Sequence, residues 1–252
     1  MLSVKPNAEF VMWILAFEFS SDRRGVAVVG RASPPGLESF TEHPLAGRRR
    51  PAYVAGRAVE QGGRQTHALA LAEAALKEAG IEREAVEAIA IGIGPGSYTG
   101  IRIALATAQG WQLGTGVKTI GVSSLDCLAE QARREGVRGR IHVVVDAQRG
   151  EFYDTVYRVT EAGWTVEEPL RIISAEQVLA SCQPGEALIG PDAAVETKLS
   201  GRRVMPDAAV LGQLAATRTD FLPAFQIEPI YLRAVSFVKA PPARVIPGIT
   251  TD

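Results

Sequence analysis

The sequence predicts an α/β protein built as two tandem halves, and three observations predict it. Short runs rich in β-branched and small residues (12–18, 25–30, 88–93, 117–121, 141–145, 187–189) alternate with helix-forming stretches (67–79, 98–114, 123–135, 207–219). The stretch IAIGIGPGSYTGIRIALATAQGWQLGTG (89–116) reads as strand, tight turn and helix in immediate succession. A second βαβ-like unit opens near Val117. The halves are expected at 12–115 and at 116–206 together with 221–233.

Taken in order, residues 1–11 read as an irregular leader. MWILAFE (12–18) and GVAVVG (25–30) are two apolar runs separated by FSSDRR, a hairpin or tight strand pair. Residues 36–46 are expected to form a third strand. GRRRPAYVAGRAVEQGGRQT (47–66) carries five arginines against one acid, Glu60, and reads as a solvated loop; a phosphate-contacting role is the alternative. The run HALALAEAALKEA (67–79) is helical, with Thr66 as N-cap and Gly80 as the stop. A strand to Ile93 then leads into the central turn.

Gly94 and Gly96 permit positive φ or close backbone approach there, and Pro95 fixes its own φ. Ser97 or Thr99 caps the helix that follows. That helix carries one charge, Arg102, and is small or apolar nearly all round. A soluble surface helix has one apolar stripe, so more than one of its faces is covered. The turn has two readings, a geometric connection or a phosphate cradle at a helix N-terminus. Spacing favours the first. Gly100 is followed by Ile101 and Arg102 rather than Lys-Ser/Thr, and neither Gly92 nor Gly94 starts a G-x-G-x-x-G.

In the second half, 123–135 is a helix capped by Ser123 or Ser124, and IHVVV (141–145) is a buried strand. Asp146-Ala-Gln-Arg-Gly150 turns into EFYDTVYRV (151–159), whose aromatics fit an exposed strand. Residues 207–219 are a last helix, and the proline-rich 234–252 is expected to be a disordered tail.

At 252 residues the chain is long enough for a well-buried core. Its 46% hydrophobic and 22% charged content is that of a globular protein. A net charge of −1 gives no global attraction to nucleic acid or anionic lipid. Two cysteines form no disulfide framework and show no metal-ligand spacing. With no membrane-length apolar run and no signal peptide, a cytoplasmic protein with no membrane role is expected.

The string GPGSYTGIRIALATAQG (94–110) resembles the signature of the TsaB family, the partner subunit of bacterial tRNA threonylcarbamoyladenosine synthesis. ILAFEFSSDRRGVAVV (14–29), His67 before its helix, GVSSLDCLAEQA (121–132), DAQRGEFYDTVY (146–157), GPDA (190–193) and PIYLR (229–233) resemble that family in the same order. The resemblance implies an actin-like ATPase (ribonuclease H-like) fold, with helix 207–220 crossing back onto the first half. It also implies a non-catalytic scaffold that heterodimerises with the homologous transferase TsaD, with the ATPase TsaE joining and tRNA reached through the complex. No cofactor of its own is expected, ATP and metal being bound by the partner subunits.

The partner surface implied lies on the first two helices, at His67, Leu71, Ala75, Tyr98, Thr99, Gly100, Arg102, Ile103, Ala104, Thr107 and Gly110. Both helices have more apolar surface than one sheet can hide, which fits an interface as well as burial within one domain. The resemblance decides for the interface. Glu18, Ser20, Asp146 and Gly190 fall where related ATPases hold nucleotide. Glu18 replaces the family's Asp, and Phe19-Ser20-Ser21 has no glycine for phosphate to approach. Asp146 reads first as a turn-former and second as a phosphate-loop acid.

The alternatives are an independent enzyme, either an ATP-dependent phosphotransferase or a metallopeptidase of the glycoprotease type, and a homodimeric interaction module using the same helices. The three histidines (His43, His67, His142) make no His-x-x-x-His pair, and no Gly-x-Ser-x-Gly elbow is present. No metal site is expected.

Overall fold

The computed structural model describes residues 11–32, 52–61 and 65–232. The first half is organised by β1 (Val11–Glu18), the middle strand of a five-stranded sheet. Its hairpin partner β2 (Arg23–Ala32) runs antiparallel, and β3 (Tyr53–Gln61) continues antiparallel at the edge. On the other side β4 (Val86–Gly92) and β5 (Lys118–Val122) run parallel to β1, giving the order β3-β2-β1-β4-β5. β1 is apolar at nearly every position because both of its faces are covered. Leu15 and Phe17 pack under α1 (Ala68–Ala79) and α2 (Tyr98–Thr115), while Ile14 and Ala16 pack under α6 (Ala208–Ala215).

The second sheet repeats this plan. β6 (Gly139–Asp146) pairs antiparallel with β7 (Glu151–Val159), which pairs antiparallel with β8 (Trp164–Ser174). β9 (Ala187–Gly190) and the two-residue β10 (Arg202–Arg203) extend it in parallel. The order β8-β7-β6-β9-β10 matches that of the first sheet strand for strand. α3 (Ser124–Arg134) buries Leu125, Leu128, Ala129 and Ala132 against this second sheet, while its Cys127 joins the core beneath α6. α4 (Ala175–Ser181) and α5 (Ala193–Leu199) cover the opposite face through Val178, Val195 and Leu199.

Several expectations change. The third strand occupies 53–61, inside the stretch expected as a solvated loop; the expected strand at 36–46 lies outside the described residues, as do Arg48, Arg49, Arg50 and Arg64. β5 belongs to the first sheet, so that sheet runs to Val122 rather than ending at 115. Segment 221–232, expected with the second half, packs on the first: Leu222 N–H donates to Thr119 O (2.9 Å), and Ile230 N–H donates to Ile93 O (2.9 Å). β7 is an interior strand rather than an exposed one, with Phe152, Val156 and Tyr157 buried. The helix α1 begins after His67, and Thr66 does not cap it. The expected tail 234–252 lies outside the described residues. Among the described residues no helix is long and apolar enough to cross a membrane.

Candidate partner surface and the closed turn beneath it

The turn between β1 and β2 sits directly under the turn that opens α2. Ser97 N–H donates to Ser20 O at 2.7 Å. A Cβ on Gly96 would lie 2.1 Å from Ser20 O, and one on Gly100 would lie 2.0 Å from Phe19 O. Real Cβ atoms do not approach backbone so closely, so these glycines let two turns stack. These contacts supply the geometric role for the glycines that the first reading of the loop expects. Ser97, not Thr99, caps α2, its Oγ accepting from Gly100 N–H (3.2 Å).

Glu18 closes the same place from the strand side. It is fully buried, its Oε1 accepting from Ser20 N–H (2.8 Å) and its Oε2 from Ser124 Oγ–H (2.8 Å). A Cβ on Gly92 would lie 2.3 Å from Glu18 Oε2, so that glycine makes room for the carboxylate. Burial pushes the carboxyl above its ordinary range, and the Ser20 and Ser124 hydrogen bonds only partly offset this. An ion or phosphate reaching Glu18 would first have to separate β1 from α3.

At the matching end of the second sheet, Asp146 Oδ1 accepts from Gln148 N–H (2.7 Å) and its own N–H donates to Asp192 Oδ2 (2.8 Å). Gln148 and Arg149 both have positive φ in this turn. Burial raises the Asp192 carboxyl, with Asp146 and Asp22 adding repulsion. Gly190 ends β9 with its Cα against Val144 O. Glu18 and Ser20 therefore sit in one hydrogen-bonded turn, while Asp146 and Gly190 belong to a second, tied together through Asp192.

The two helices divide the remaining expected residues. Leu71, Ala75, Gly100 and Ala104 are buried inward, Ala75 and Ala104 completely. They hold α1 and α2 to the sheet and cannot meet a partner in this state. Ile103 and Thr107 are half-buried, and Thr107 Oγ–H donates back to Ile103 O (2.8 Å). His67, Tyr98, Thr99, Arg102 and Gly110 are exposed. The His67 side chain is held at 3.1 Å from Glu60 Oε2.

The outward row on α2 runs Tyr98, Arg102, Ala106, Gly110, every fourth residue, and continues to Leu113, which is 89% exposed. Arg102 stacks over the Tyr98 ring (5.0 Å) and hydrogen-bonds its hydroxyl; Tyr231 lies 5.3 Å from the same ring. Leu69 on α1 adds a further exposed apolar side chain. Leu69, Ala106, Leu113 and Tyr231 were not among the expected residues; the fourfold spacing from Tyr98 is the signal that would have found Ala106.

Two α/β sheets of identical topology, each with helices on both faces, define the actin-like, ribonuclease H-like class. The family model for TsaD, tRNA N6-adenosine threonylcarbamoyltransferase, matches residues 64–227. The tRNA threonylcarbamoyladenosine biosynthesis protein TsaB of Escherichia coli is 40% identical over 94 residues, 37% of this chain and 41% of that protein. The protein of the same name from Haemophilus influenzae is 29% identical over 188 residues, 66% of this chain and 78% of its own. A Pseudomonas aeruginosa crystal structure, described as similar to the peptidase YeaZ, superimposes with a TM-score of 0.67 at 26% identity, covering 88% of this chain and all of that one. The chain belongs to this TsaD-like family and, within it, to the TsaB members.

Proposed function

We propose that this chain is a non-catalytic subunit in the synthesis of threonylcarbamoyladenosine at position 37 of ANN-decoding tRNAs, docking the outer face of α1 and α2 onto a TsaD-type transferase. The observation that carries the proposal is a contrast within one half of the molecule. The turn where a relative of nucleotide-handling enzymes would grip phosphate is filled by the buried Glu18. Directly above it, α1 and α2 present Leu69, Tyr98, Ala106 and Leu113 to solvent. Exposed aromatic and aliphatic side chains beside an arginine are the composition of an interface core. The partner supplies the transfer chemistry together with ATP and metal, TsaE joins the pair, and tRNA is engaged through the complex.

Without that partner the same face pairs two copies of this chain, since its apolar row is left open to water. The decisive test is reconstitution. The chain is co-purified with TsaD and TsaE, and modified adenosine is measured with and without it. Modification that depends on this chain, together with no ATP or peptide turnover by the chain alone, supports the proposal. Turnover by the isolated chain overturns the non-catalytic role, and modification at full rate without it overturns the role in the complex.

A further inference from the structure

The outer face of the second sheet carries a polar cluster unrelated to either feature above. His142 on β6 is fully buried, and its Nδ1 lies 3.0 Å from Asp154 Oδ1 on the neighbouring β7. Asp154 is itself fully buried, and Arg171 grips its other oxygen through Nε (3.1 Å) and Nη2 (2.8 Å). A carboxylate fixed in this way takes the Nδ1–H and leaves the Nε2 lone pair facing outward. That lone pair faces the turn after α4. There Cys182 N–H donates to Val178 O and Glu186 N–H donates to Gln183 O, so Cys182 and Glu186 return to the same spot four residues apart.

Glu186 Oε2 lies 3.6 Å from His142 Nε2, and the donor atoms of His142, Cys182 and Glu186 all lie within 4.8 Å of one another. Among the described residues Glu186 Oε1 accepts no hydrogen bond; the bonds from Arg140 (2.8 Å) and Gln183 N–H (2.9 Å) go to Oε2. An open groove of about 510 Å³, lined by Leu179, Cys182, Glu186, Ser200 and Gly201 among others, gives access from solvent.

The geometry points to a zinc site formed by His142 Nε2, Cys182 Sγ and one carboxylate oxygen of Glu186, with water from the groove as the fourth ligand. One imidazole, one thiolate and one carboxylate are a donor set suited to Zn²⁺. Zinc bonds of roughly 2.0–2.3 Å place tetrahedral ligands about 3.3–3.7 Å apart. The cluster thus needs to close by little more than 1 Å from its widest separation, a movement within reach of the 182–186 turn. The Asp154–His142 pair reproduces the carboxylate–histidine arrangement that orients zinc-bound imidazoles. Binding releases the Cys182 thiol proton to solvent, and the thiolate and carboxylate together balance the dication.

Arg140 competes for the position. Its Nη1 lies 3.2 Å from His142 Nε2 and 2.8 Å from Glu186 Oε2, but it is also paired with Glu167 and Glu168 on β8. Those two carboxylates hold the guanidinium when the ion takes Glu186. The site ties the end of α4 to β6.

The test is titration of the reduced full chain with Co²⁺ and Zn²⁺. A thiolate-to-cobalt absorption band that saturates at one equivalent, is displaced by Zn²⁺, and is lost in Cys182→Ser is the expected result. Arg140→Met is expected to tighten binding, and Asp154→Asn to weaken it by about 10–100-fold. His142→Asn is scored only where its circular dichroism matches wild type; Cys182→Ser, at a partly exposed turn, decides regardless. The absence of a band at one equivalent, or a band that survives Cys182→Ser, overturns the site.

Discussion

Ser124 Oγ donates a 2.8 Å hydrogen bond to Glu18 Oε2 across 106 residues of sequence, joining the end of β1 to the first turn of α3 in a place no water reaches. A strand-end carboxylate that could have faced a ligand is here the link between the first sheet and the helix that carries the second.

That link has a pH signature. Burial raises the Glu18 carboxyl above its ordinary 4.5, so the native state keeps the proton where the unfolded chain has lost it. Its stabilising contribution is complete below pH 4.5 and is lost as pH rises through the folded value. Glu18→Gln keeps the shape and removes the titration. Urea unfolding of both proteins from below pH 4.5 to neutral should show wild type losing ground to the variant as pH rises. A constant difference across that range contradicts the assignment.

Two glycines of α2 should respond oppositely to alanine. Helix propensity favours alanine by about 1 kcal/mol at either position. At Gly110 nothing lies within 4 Å of the added Cβ, and the variant should gain roughly that amount. At Gly100 the Cβ meets Phe19 O at 2.0 Å, a backbone atom that cannot swing aside. Overpacking of about 1–3 kcal/mol should then outweigh propensity. Denaturant midpoints measured side by side decide it.

Ala75→Arg and Ala104→Arg test whether those residues face inward. Both positions are fully buried beneath their helices. A charged side chain there has no partner and no room, so both variants should lose cooperative thermal unfolding rather than merely a binding partner. A normal melting transition in either would place that face of the helix outside.

Tyr157 OH donates to Asp126 Oδ1 at 2.7 Å, tying β7 to α3. Tyr157→Phe preserves the packing and leaves the half-buried Asp126 short of a donor. A loss of about 1–2 kcal/mol in unfolding free energy is expected, with an unchanged denaturant slope.

Much of the architecture was legible because interior parallel strands and their covering helices advertise themselves by unbroken apolar runs. β1, β4, β6, α1, α2 and α3 were placed to within a few residues. Of the edge strands, β5 was placed as well, but β3 and β8 were not. β3 contains Arg57 and Glu60 and follows three arginines, so its alternation was masked by charge; Gly56, needed where α1 crosses at Ala75, weakened the pattern further. β8 carries Glu167, Glu168 and Arg171 on an exposed edge and was missed for the same reason.

The surface was only half legible, because α1 and α2 are small or apolar on every side. Composition cannot tell inward Ala75 from outward Ala74; the sheet beneath them makes that choice. The His142, Cys182 and Glu186 cluster left no signature at all. Its donors come from a strand and a turn 40 residues away, and sequence spacing does not register the return of the chain.

The most direct test of the account is a binding titration of the TsaD-type subunit against wild type, Leu69→Glu and Tyr98→Glu. Both side chains are more than half exposed, so the variants should melt as wild type does. The account predicts at least about a tenfold loss of affinity for each, consistent with disrupted interface anchors, and a matching loss of modified adenosine in the reconstituted reaction. Undiminished binding by both folded variants would contradict it.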